Sequence, residues 1–138
     1  MDTTFLSTGP APLPDELAAV SEFIRGANAG ELETLVHLFS PDAHVNDQLR
    51  NFWGIAEITS WLEREIIGEQ VRLRPSRLMK HYGVVILNAE ISGNFEVPRE
   101  MQPMLFDLHF TVQNSKIVRL LILLARDDTA EAEIRPVR

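Results

Sequence analysis

The sequence predicts an α+β fold: three N-terminal helices, followed by a long antiparallel meander whose sheet curls around them. Two observations carry this. As far as Ile67 the apolar residues recur three and four apart, and beyond Gly68 the spacing drops to two, in β-rich runs separated by turn residues. Helices and strands segregated in this way each have one face to bury, and they bury it against each other.

The first helix is expected over Pro14–Ala29, where Leu17, Val20, Ile24 and Ala27, with Phe23 beside them, form one apolar face. Gly30 breaks it in "NAGEL". A second helix is expected over Glu31–Phe39 and ends at "SPD", Ser40 to Asp42. Short strands follow at Ala43–Asn46 and Asn51–Trp53. The third helix, Gly54–Ile67, turns Ile55, Ile58, Trp61, Leu62 and Ile66 inward and stops at Gly68. The meander then runs through Val71–Tyr82, Val84–Val97, Met104–Gln113 and Lys116–Ala125. The basic stretch "RLRPSRLMK" in the first of these reads as an exposed sheet edge, since charges and a proline discourage edge-to-edge pairing.

At 138 residues, 45% hydrophobic and 24% charged, the chain suits one globular domain. The expected organisation is a loose arm at 1–13, the domain at 14–126 and a charged tail at 127–138. A net charge of −7 argues against a nucleic-acid partner, which needs a clustered basic surface. No apolar run is long enough for a membrane span, and the start of the chain makes a poor secretory signal, so a cytoplasmic location is expected. Without cysteine there are no disulfides and no thiolate zinc sites; His37, His44 and His81 lack ligand-like spacing, and neither metal nor cofactor is expected.

The run "MLFDLHFTV" raises a question of parity. Met104, Phe106, Leu108, Phe110 and Val112 share one face of their strand, and Leu105, Asp107, His109 and Thr111 share the other. The next strand is apolar on both faces from Leu120 to Leu124, which suits a sheet covered on both sides. One arrangement turns Asp107 and His109 into an enclosed pocket and sets the Phe106 and Phe110 stripe against a partner chain. The other leaves His109 as a surface histidine. Asn88 and Glu90 share one face of the preceding strand, with either face open to them.

"EFIRGANAGELETLVHLFSPDAHVND", "WGIAEITSWLE" and "FDLHFTVQNSKIVRLLIL" together resemble the nuclear transport factor 2-like superfamily, in particular its SnoaL-type and ketosteroid-isomerase-like members, over about Leu17 to Ala125. The resemblance implies a cone, a strongly curved, mostly antiparallel sheet wrapped around the three helices, with an apolar pocket at one end and homodimers formed through the convex sheet face. It also implies site residues. Asp47 matches the isomerase general base, and Asp107 the acid that donates to the dienolate oxygen, a pair in which one carboxyl stays ionised and the other, desolvated, stays neutral. The catalytic tyrosine is Phe23 here, and the supporting tyrosines correspond to Phe39 and Leu62, so steroid isomerisation itself is not expected.

The expectation is therefore a pocket for a small hydrophobic molecule, with Asp47, Asp107 and His109 as candidate catalytic groups and Phe23, Phe39, Trp61, Leu62, Leu105 and Leu120 as its lining. Cofactor-free proton transfer of isomerase, cyclase or dehydratase type is one function such a pocket can serve. A ligand-binding or protein-interaction module without chemistry is the other.

Overall fold

The computed structural model describes residues 14–125; the expected arm and tail lie outside the described residues. The chain runs α1 (Asp15–Ala29), α2 (Leu32–His37), β1 (Phe39–Asp47), β2 (Arg50–Trp53), α3 (Gly54–Trp61), a π-helical segment (Leu62–Ile67), β3 (Arg72–His81), β4 (Val84–Ser92), a short 3₁₀ turn (Arg99–Met101), β5 (Leu105–Gln113) and β6 (Lys116–Leu124). One six-stranded sheet has the order β2-β1-β6-β5-β4-β3. Its pairs are antiparallel except β1 with β6, which is parallel.

Local chemistry sets the boundaries. Gly30 caps α1 in the left-handed region at φ 71°, and the Glu31 N–H donates to the Gly26 carbonyl at 2.9 Å. The second helix is shorter than expected, and Phe39 opens β1 instead of closing α2. The cause is β6: the Ile117 N–H donates to Leu38 O at 2.7 Å and draws the chain into the sheet, while Ser40, Pro41 and Asp42 pass through an irregularity in the ladder. Gly68 follows the π-helical segment, and the position needs glycine because a Cβ there would lie 2.5 Å from Arg64 O.

The basic strand β3 is an edge, as expected, with Pro75 beside a register shift that leaves Ser76 unpaired in the ladder. Asn28 of α1 ties it down: its side-chain amide accepts from Leu73 N at 2.7 Å and donates to Leu73 O at 2.9 Å.

The helices fill the inner face of the sheet. Val20, Phe23, Leu35, Ile58, Trp61 and Leu62 are fully buried or nearly so, against Val85, Leu87, Leu108, Phe110 and Leu120. Phe23 meets Phe110 edge-on at 5.3 Å and Phe39 at 6.3 Å.

This packing reverses the pocket-facing parity considered for β5. Phe106, Leu108 and Phe110 point at the helices; Leu105, Asp107, His109 and Thr111 lie on the outer face. A strictly apolar stripe is the costlier one to leave in water, and α1 supplies the cover it needs. The two-faced apolar pattern of β6 is real: past a register shift between its pairings with Thr111 and Val112, Leu120 and Ile122 face in while Leu121 and Leu123 put apolar side chains on the outer face. Asn88 pairs with Asp107 and Ile86 with His109, so Asn88 and Glu90 also belong to the outer face.

Candidate functional site

A cavity of about 520 Å³ lies between the C-terminal half of α1, the end of the π-helical segment and the inner face of the sheet. Its interior is apolar: Phe23 and Ala27 from α1, Leu73, Phe106, Leu108 and Ile122 from the sheet, all buried. Phe95 and Met104, from the connection between β4 and β5, add to the wall. The polar lining side chains other than Asp47, namely Gln48, Arg50, Arg64, Glu65 and Glu69, are half-buried or exposed and form the mouth.

Asp47 is the last residue of β1, paired in register with the inward Ile122 and only 8% exposed. Its Oδ2 accepts two hydrogen bonds, from the buried Trp61 Nε1 at 3.0 Å and from Arg50 Nη2 at 2.9 Å. Its Oδ1 has one long contact, Gln48 Nε2 at 3.4 Å. One oxygen is thus anchored and the other left open to a ligand.

The turn from β1 to β2 makes this possible. Gln48 and Leu49 both adopt positive φ, 52° and 74°, which closes a two-residue hairpin and sets Arg50 directly across the ladder from Asp47. Neither residue is glycine, so the turn carries strain of about 1 kcal/mol or more per residue. The Leu49 N–H bond to Asn46 Oδ1 at 3.0 Å helps to hold it. Arg50 then reaches across the mouth, giving Nη1 and Nη2 to Glu65 at 2.8 and 2.7 Å. The Arg50 hydrogen bonds hold the Glu65 carboxyl below the usual carboxylate range, against the opposing effect of burial. The Glu65 hydrogen bond in turn raises Arg50, with the Asp47 charge adding to it.

Of the expected site residues, Asp47 and Phe23 line the cavity. Phe39, Trp61, Leu62 and Leu120 are core side chains outside its wall; of these, Trp61 touches the site through its hydrogen bond to Asp47. Asp107, His109 and Leu105 are on the outer face, where Asp107 accepts a hydrogen bond from Asn88 and Leu105 is 40% exposed. The reason is the parity of β5. An inward Asp107 would need Phe106 and Phe110 to leave the helices. Trp53 is 59% exposed and stacks on His44, whose Nδ1 accepts from Arg119.

Sequence reading leaves Glu65 out of the site as a solvated side chain and does not single out Arg50 or the other mouth residues. The three-residue spacing of Asp47 and Arg50 across a turn was a usable signal, whereas nothing in the sequence sets Glu65, fifteen positions further on, against Arg50. Among the described residues no three His, Asp or Glu side chains gather as a metal-holding group, and no helix is long and apolar enough to cross a membrane. Among the described residues Asp47 is the one polar side chain of the interior, and as a carboxylate it only accepts. The arrangement can therefore hold an apolar body and take a proton, but it offers an oxyanion no interior donor.

No family model and no curated protein matches the sequence. Solved structures do match the fold. A candidate polyketide cyclase from Sinorhizobium meliloti superposes with TM-score 0.69 at 24% identity, over 80% of this chain and 95% of that one. A nuclear transport factor 2-like protein of unknown function from Cytophaga hutchinsonii gives 0.68 at 11% identity, over 83% and 93%. A candidate ketosteroid isomerase from Kribbella flavida gives 0.67 at 11%, over 82% and 79%. The chain has the nuclear transport factor 2-like fold, and at these identities the likeness speaks for the fold alone.

Proposed function

We propose that this chain, a protein of nuclear transport factor 2-like fold, binds a small hydrophobic molecule in its cavity and moves a proton next to a carbonyl without a cofactor. The observation that carries the proposal is Asp47, a nearly buried carboxylate with Oδ2 held by Trp61 and Arg50 and Oδ1 open, beside an apolar chamber. Oδ1 takes the proton from the carbon next to the carbonyl. The C–H electron pair forms the enolate C=C bond, negative charge passes to the carbonyl oxygen, and the carboxylic acid returns the proton to the same or a conjugated carbon. Asp107 and His109 have no part in this chemistry, since both lie on the outer face.

Ligand binding without turnover is the second reading, and a specific observation favours it: among the described residues no donor side chain lines the interior where an oxyanion would form, Phe23 being an aromatic hydrocarbon and Asp107 outside. One experiment separates the two. Apolar ketones are incubated with the protein in D₂O, and deuterium exchange at the carbon next to the carbonyl is followed by NMR. The catalytic reading expects exchange above background that falls about 10²-fold or more in Asp47→Asn, with ketone affinity preserved. Binding with no faster exchange leaves the binding module.

The proposal includes a homodimer through the outer sheet face, supported by Leu105 and Leu123 exposed there beside the half-buried Ile86 and Leu121. A cytoplasmic location also belongs to it, resting on composition.

A further inference from the structure

We propose that the segment following β6, residues 126–133, folds back across the end of the outer sheet face and seats Glu131 and Glu133 on a row of arginines presented by β3. This docking surface is independent of the chamber and of any chemistry there.

The irregularity in β3 makes the row. Arg72 pairs with Ser92, Arg74 with Glu90 and, past the register shift at Ser76, Arg77 with Asn88. Strict alternation would turn Arg77 to the face opposite Arg72 and Arg74; the extra residue keeps all three on the outer face, beside Ser92, Glu90 and Asn88. All three are exposed. Among the described residues Arg72 and Arg77 have no carboxylate within ion-pair distance, and Arg74 has only Glu90, at 3.8 Å with its own side chain 84% exposed. In a chain of net charge −7, three arginines facing one carboxylate are a local excess of positive charge that draws an acidic segment.

The chain's own continuation supplies one. Beyond Ala125 it reads "RDDTAEAEI", with acids at Asp127, Asp128, Glu131 and Glu133. Its starting point is fixed: the Ala125 N–H donates to Leu105 O at 2.7 Å, Leu105 pairs with Glu90, and Glu90 with Arg74. Ala125 thus stands three strands from Arg74 in one cross-strand row, about 14 Å away at about 4.8 Å per strand. Residues 126–130 span about 16 Å when extended, enough to bring Glu131 to the arginines. Glu133, two positions on, then meets a neighbouring arginine, since Arg72 and Arg74 are also two apart.

The ground on this path suits a strap. Leu105 is 40% exposed there, and an open groove of about 450 Å³ lies at the same end of the sheet, lined by Glu90, Ile91, Ser92, Val97, Pro103 and Met104. The crossing residues between the acids include Thr129, Ala130 and Ala132, whose small side chains let the backbone lie close. On the other flank of β6 the nearest cation is Arg50, already taken by Asp47 and Glu65. Ile86 and Leu121, further along the outer face, stay open to the proposed dimer.

The sequence has no cysteine, so Ala132→Cys carrying a nitroxide gives the full chain a single spin label, read by broadening of ¹⁵N amide resonances. An undocked segment moves around Ala125 and broadens the turn at Gln48 and Leu49, one strand from β6, more than Arg72, Arg74 and Arg77, three strands away. The docked strap reverses that order. Salt at about 0.5 M should cut the β3 broadening several-fold, because exposed ion pairs are screened. Arg74→Glu with Arg77→Glu should abolish it, and Glu131→Arg with Glu133→Arg in the same chain should restore it. The undocked order in the native protein overturns the proposal, as does β3 broadening that survives the Arg74→Glu, Arg77→Glu change. Broadening centred on Arg64 overturns it too, placing the acids at the chamber mouth. So does broadening of β3 in ¹⁵N-labelled chains mixed with unlabelled spin-labelled ones, which assigns the strap to a second copy.

Discussion

Replacing two neighbours on β5, Phe106 by alanine and Asp107 by asparagine, tests the strand parity on which the site depends. Phe106 is 3% exposed and borders the chamber. A buried Phe→Ala change costs about 3–5 kcal/mol, and because one side of this ring already faces open space, the lower end, about 3 kcal/mol, applies. Asp107→Asn keeps both the shape and the oxygen that accepts from Asn88 Nδ2. What it loses is charge, in a half-buried position where solvent screens it, so the cost stays within about 1 kcal/mol. Urea denaturation followed by far-ultraviolet circular dichroism measures both. With a slope of about 1–3 kcal/mol per molar, Phe106→Ala moves the midpoint down by about 1–3 M, and Asp107→Asn by a few tenths of that. Ketone deuterium exchange, if present, is unaffected by Asp107→Asn. A variant at 107 that costs as much as the one at 106, or that abolishes exchange, means that the strand is slipped by one residue and the outward assignment of Asp107 is wrong.

Arg50→Met should let the Glu65 carboxyl return toward its ordinary value near 4.5, read by carbon-detected NMR titration. A depressed folded-state value contributes stability above the unfolded value and loses it as pH falls through the folded one. The stability gap between native and variant protein is therefore full at pH 7 and narrows in acid; an unchanged Glu65 titration refutes the pairing. Gly68→Ala drives a Cβ into the Arg64 carbonyl at 2.5 Å and the Glu63 carbonyl at 3.1 Å, both backbone. A loss of about 1–3 kcal/mol in thermal or urea unfolding is expected, and a neutral result would mean that the π-helical turn relaxes freely.

Most of the element order was legible because the longer segments declare their period over eight or more residues: α1 by its apolar face, β3 to β6 by alternation and by the turns between them. The edge position of β3 was legible in its arginines and Pro75. The face of β5 was not. Alternation separates Phe106 from Asp107, but it cannot say which set meets the helices. The run of β6 from Leu120 to Leu124 is apolar at every position, so alternation alone could not say that Leu120 and Ile122 face in and Leu121 and Leu123 out. Asp47 was legible as a candidate through resemblance alone. Its anchoring by Trp61 joins residues fourteen apart on different elements, and the Arg50 bridge to Glu65 depends on how α3 and the hairpin cross, which no local pattern encodes.

The geometry also bounds how good an enzyme this chamber can be. A positioned base contributes typically 10²–10⁴ in rate, and an oxyanion donor in a dry site adds about 10²–10³ because charge is felt strongly where water is excluded. Here the base is nearly buried, but the donors stand at a mouth where Arg50 is half exposed and Arg64 is open to solvent. Each N–H at such a place competes with water, and its effect on a developing enolate is damped accordingly. In the proposed reaction the acid would therefore carry most of the acceleration. The two proposed readings, a slow proton-transfer catalyst and a binding protein, would then differ in whether Oδ1 of Asp47 meets an acidic C–H.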